Sequence, residues 1–88
     1  MSELRSAIEA LGAEVLAELP DARVEADLDE LTRAAEMIEL ERLRRIAEID
    51  RRGSWARDGY LSVTAWVADR HRTDRGAARD QVRTARAL

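Results

Sequence analysis

Apolar residues in the first part of the chain recur with the period of a helix. Leu4, Ile8, Leu11, Val15 and Leu19 are spaced four, three, four and four apart, which places them on one face of a helix starting near Ser2. Gly12 weakens this helix by about 1 kcal/mol relative to alanine. Pro20 followed by Asp21 ends it, because the residue before a proline avoids the helical region. Residues 20–26 then read as a connection. Asp27 with Glu30 three places later resembles a capping box, in which each side chain accepts an amide hydrogen left over at a helix start. The pattern therefore predicts a long helix from about Leu28 to Arg52. At about 100° per residue, Leu28, Leu31, Ala35 and Ile38 form one stripe; Leu40, Leu43, Ile46 and Ala47 form another, about a quarter turn away. The two halves of the helix are expected to meet different neighbours, and the repeat is not a sustained heptad.

Gly53 stands where a left-handed residue closes a helix. The segment through Leu61 is a connection with a second glycine, Gly59, and with Trp55 and Tyr60 as plugs over the core. Ser62 can cap a third helix over 62–71, whose Val63, Trp66 and Val67 share a face. A short turn follows, with Thr73 or Asp74 capping a last helix over 75–88. The inward stripe of that helix, Ala78, Val82 and Ala85, is made of small side chains and requires close packing. The expected fold class is all-α: about four helices, with one long central helix and a C-terminal helix-turn-helix-like pair, in a single domain over 1–88.

Length and composition sharpen this picture. A chain of 88 residues buries roughly two-thirds of its unfolded surface, so its stability is marginal and support from self-association or a neighbouring domain is expected. The absence of cysteine excludes disulfides and thiolate metal sites. Glu3, Glu9, Glu14 and Glu18 break the apolar rhythm of the first twenty residues, which suits neither a secretory signal nor a membrane span. A cytoplasmic location and no membrane partner are expected. All fifteen basic residues are arginine and phenylalanine is missing, a bias consistent with a GC-rich bacterial genome.

The net charge of −3 conceals an asymmetry. Residues 1–50 hold fourteen acidic side chains and six arginines, a balance of −8, whereas residues 51–88 hold nine arginines and four aspartates, a balance of +5. Such polarity lets the basic half meet an anionic partner while the acidic half faces away, or drives one half onto the other.

Candidate chemistry is concentrated at the C-terminal pair. Two short helices joined by about three residues, the second one basic, have the outline of a helix-turn-helix. Ala68 stands where a small residue lets the second helix cross closely, with Ala78 and Val82 as inward positions. Arg72 occupies the turn, where glycine is favoured because the backbone often needs a positive φ. On the last helix Arg75, Arg79, Arg83 and Arg86 follow at spacings of four, four and three, so their guanidinium groups line one face. Arginine suits phosphate and guanine because its planar fork bonds both in a bidentate way. The same alternation of alanine and arginine also describes a solvated face, or one paired with acids of the long helix.

His71 with Asp69 and Asp74 falls short of the clustered ligands of a protein metal site; it reads as a solvated residue near the last carbonyls of a helix. Trp66 reads as a core anchor. Trp55, in a loop, is a candidate for partner contact. No glycine-rich phosphate loop, no nucleophile with an adjacent base and no metal-ligating His/Glu pair is present. Catalysis by this chain alone is not expected, nor a cofactor, a metal or a small-molecule ligand.

The run from Leu43 to Leu88 resembles the actinobacterial 13E12-repeat family (domain of unknown function 222), a helical region found ahead of HNH endonuclease domains. The resemblance rests on Ile49 to Gly53 at the end of the long helix, on Trp55, Asp58 and Gly59, on Thr64 to Ala68, and on Ala78-Arg79 and Ala85 to Leu88. It covers about half of the chain, with residues 1–42 standing as a variable helical lead-in. Family members commonly carry glycine where Arg72 stands. The histidine and asparagine cluster of the HNH nuclease lies downstream of the matching segment. The resemblance thus implies an accessory role beside DNA cleavage: binding DNA, positioning the nuclease or assembling subunits.

Two readings follow. In one, double-stranded DNA is contacted through Arg72, Arg75, Arg79, Arg83 and Arg86. In the other, the long helix forms an isologous homodimer, or meets a downstream domain, through Leu40, Leu43 and Trp55, and the arginines serve solubility or pairing.

Overall fold

The computed structural model describes residues 2–88 and is all-helical, with no strand among the described residues. Four α-helices follow in order: α1 (Ser2–Gly12), α2 (Asp21–Arg52), α3 (Val63–Arg70) and α4 (Arg75–Arg86). Short 3-10 turns occupy Leu16–Glu18 and Ser54–Asp58. Among the described residues no helix is long and apolar enough to cross a membrane. The chain falls into two compact units, Met1–Arg33 and Ala34–Leu88.

In the N-terminal unit the first helix is shorter than its apolar rhythm suggests. It stops at Gly12, and the amides of Ala13 and Glu14 turn back to the carbonyls of Ala10 and Leu11 at 3.2 Å each. Glycine is the most expensive residue to hold in a helix apart from proline, and here the helix ends on it. The start of the long helix also moves, from the expected Leu28 to Asp21. Pro20 lies just before it, where its missing N–H costs nothing, and its carbonyl accepts from Arg23 at 3.0 Å and from Val24 at 3.2 Å. The proline starts a helix instead of introducing a loop. Asp27 consequently caps nothing; its carboxylate accepts from Arg23 Nε at 3.1 Å, one turn earlier. No side chain of residues 2–33 is buried.

The C-terminal unit holds the core. Leu43 and Ile46 of α2, Val63, Trp66, Val67 and Ala68 of α3, and Ala78, Val82 and Ala85 of α4 form one buried cluster. Ala47, Ile49, Trp55 and Tyr60 pack half-buried around it, so the two loop aromatics are the plugs that their positions suggest. Gly53 (φ +66°) and Gly59 (φ +86°) adopt the left-handed conformation at either end of the second 3-10 turn, a region closed to most side chains. This turn lets the chain leave α2 and re-enter at α3 within ten residues, Gly53 to Ser62.

Candidate nucleic-acid interface

Local capping fixes where α3 and α4 begin. The Ser62 hydroxyl accepts from the Ala65 amide at 3.1 Å, and the Asp74 carboxylate accepts from Ala77 at 3.2 Å. Asp74, not Thr73, is therefore the cap of α4. Between the helices, Thr73 N–H donates to the Ala68 carbonyl at 2.9 Å and Arg72 N–H to that of Asp69 at 3.4 Å. This is the paired-bond pattern of a Schellman C-cap, and its left-handed position is filled by Arg72 at φ +50°. The turn is of the kind that glycine favours, with arginine in its place. Ala68, Ala78 and Ala85 are the small members of the buried cluster in which α3 and α4 pack together, beside the larger Val67 and Val82.

That packing orients the arginines. At about 100° per residue the buried Ala78, Val82 and Ala85 define one side of α4, and Arg75, Arg79, Arg83 and Arg86 fall in an adjoining arc of about 80°. Their fates differ. Arg86 donates from Nε to Asp50 Oδ2 at 2.8 Å and from Nη2 to Asp50 Oδ1 at 3.2 Å, a bidentate grip on α2. These bonds hold the Asp50 carboxyl below its ordinary pKa and raise that of Arg86. Arg83 lies 3.5 Å from Asp80, with both side chains about 70% exposed, a loose contact of little energetic weight. Arg72, Arg75 and Arg79 are exposed and, among the described residues, have no acidic partner. Arg70 lies over the Trp66 ring at 5.1 Å, and His71 meets that ring edge-on at 6.0 Å.

Several contacts at this site lack a sequence signal. Trp66 Nε1 donates to Asp58 Oδ2 at 3.0 Å, and the Tyr60 hydroxyl donates to Asp69, fastening the connection onto α3. The Asp69 hydrogen bond raises the Tyr60 pKa. An open hollow of about 410 Å³ is lined by Arg52, Gly53, Ser54 and Arg57. At the end of α2, hydrogen bonds from Arg51 and then Arg52 lower the Glu48 carboxyl to about 2.

The residues expected at a subunit interface separate. Leu43 is core, 9% exposed, and is not available to a partner. It faces inward because α3 and α4 cover Leu43 and Ile46 of the second apolar stripe of α2, though not Leu40. Leu40 stays exposed, whereas Trp55 packs half-buried against the core with its Nε1 enclosed and unpartnered. Comparison with protein families, with characterised proteins and with solved structures found no match.

Proposed function

We propose that this chain is a non-catalytic helical accessory domain that contacts double-stranded DNA through Arg72, Arg75, Arg79 and Arg83. The observation that carries the reading is the division of labour on α4. Of four arginines on one arc, the one nearest α2 is bound to Asp50, while Arg75 and Arg79 have no acidic partner and Arg83 only a loose one. A solvated face needs no such rigid mounting. Here the helix is capped by Asp74 and packed through Ala78, Val82 and Ala85, which fixes the backbone positions from which the arginines reach toward a phosphate backbone. Arg86 moves from the set of DNA contacts to a positioning role.

The resemblance of Leu43–Leu88 to the 13E12-repeat region supports a setting beside HNH-type DNA cleavage in the cytoplasm, with the nuclease chemistry supplied elsewhere. The test is fluorescence anisotropy on a labelled mixed-sequence duplex at low and moderate salt. Binding should weaken with salt, and Arg79→Ala with Arg83→Ala should lower affinity and reduce the salt slope by about two. No binding at low salt, or binding indifferent to these substitutions, would sink the reading. Plasmid DNA incubated with the chain and magnesium or zinc should stay intact.

A further inference from the structure

The N-terminal unit has the opposite problem from the C-terminal one: it has apolar side chains and no core. Leu4, Ile8 and Leu11 of α1 stay 41–54% exposed, and Val24, Leu28 and Leu31 of α2 stay 39–64% exposed. Each trio follows a spacing of four and three, so each forms a stripe along its helix. The α1 helix has eleven residues, a length marginal in water without tertiary support. Two helices with stripes of this kind and no buried side chain need an outside surface to offset the entropy of ordering them.

Charge indicates what that surface is. Residues 1–33 hold nine acidic side chains and three arginines, a balance of −6. Two of those arginines are occupied within the unit, Arg23 by Glu14 and Asp27 and Arg33 by Glu30. Among the described residues Glu9, Glu18, Asp21, Glu25 and Asp29 have no cation within ion-pair distance. A second copy of this unit would set one acidic rim against another. We infer that the apolar face of the N-terminal unit docks a cationic amphipathic helix of another protein, whose leucine-type ridge covers the stripes and whose Lys or Arg side chains meet the unpaired carboxylates. This surface uses none of the α4 arginines, and the inference does not rest on DNA binding.

The experiment uses the whole chain and a fluorescein-labelled Leu/Lys amphipathic peptide of about eighteen residues, five helical turns, with a Leu/Glu peptide of the same pattern as its counterpart. Anisotropy should show binding of the Leu/Lys peptide that weakens with salt, and no binding of the Leu/Glu peptide. Leu28→Gln with Leu31→Gln, which leaves the charge unchanged, should weaken binding at least about tenfold. Glu25→Gln with Asp29→Asn should flatten the salt dependence. Arg79→Ala with Arg83→Ala should change nothing. Circular dichroism checks that each variant stays helical. Equal binding of both peptides, or binding that survives the leucine substitutions, overturns the proposal. So does a chain that sediments by itself as a dimer and is dissociated by those substitutions, since a second copy would then be the occupant.

Discussion

Arg86 of α4 holds Asp50 of α2 across 36 residues of chain, and every other ion pair of the C-terminal unit joins residues three or four apart. A bidentate contact between separate elements restrains how α4 lies against α2, whereas the short-range pairs restrain only their own helix. The Asp50 side chain is 22% exposed, so it is partly shielded from solvent. Asp50→Asn should cost about 1 kcal/mol at neutral pH. Asp50 is depressed in the folded state, so this stabilisation is fully present above the unfolded aspartate pKa and is lost as pH falls through the folded value. Thermal melts of both proteins should therefore differ at pH 7 and converge in strong acid. A gap that persisted there would refute the assignment.

Arg72→Gly tests the turn. Arginine in the left-handed region at φ +50° carries a steric cost that glycine lacks. Urea unfolding should show the glycine variant more stable by about 1 kcal/mol, with the helical content unchanged. A destabilised variant would mean that the Arg72 side chain makes a compensating contact.

Ala78→Leu tests the close packing of α3 and α4. Ala78 is fully buried, and a larger side chain there must push the two helices apart at a cost of about 1–3 kcal/mol. The exposed Ala77→Leu, one residue earlier, should be close to neutral. Equal effects in chemical denaturation would remove the argument that small residues set the position of α4.

Glu48 offers a direct titration. With Arg51 and Arg52 bonded to it, its carboxyl should titrate at about 2 in a carbon-detected NMR experiment. Arg51→Ala should raise that value toward the ordinary glutamate range, and Arg52→Ala should do so less. The contact contributes to the folded state above the unfolded glutamate pKa and is lost as pH falls through about 2. An unshifted Glu48 in the native protein would contradict the geometry at the end of α2.

The N-caps can be checked together. Ser62→Ala and Asp74→Ala should each cost about 1 kcal/mol by removing the acceptor for the amides of Ala65 and Ala77. Thr73→Ala should cost less, since it keeps the Thr73 backbone bond and removes a side chain whose hydroxyl donates to the His71 carbonyl at 3.3 Å. Chemical denaturation of the three variants orders them.

What could be read along the chain was whatever depends on neighbours three or four residues away. The all-helical class, the closing glycine Gly53, the Ser62 cap and the inward stripe of Ala78, Val82 and Ala85 are of this kind, because helix periodicity and capping are local. The arginine arc of α4 is local too, and its exposed members lie where their spacing places them. Pro20 misled because the same residue can end one helix or sit just before another, and Asp27 with Glu30 imitates a cap inside a helix whose start lies two turns earlier.

Tertiary structure decided the rest. Which stripe of α2 is core within the C-terminal unit and which stays open, with Leu43 and Ile46 buried and Ile38 exposed, depends on where α3 and α4 lie. Whether Arg86 faces solvent or Asp50 depends on bringing together residues far apart in the chain, and the left-handed Arg72 depends on packing that outweighs a local preference. Periodicity states that a helix face is apolar, because that is a property of spacing alone; what covers the face is a property of the partner, and spacing carries no information about it.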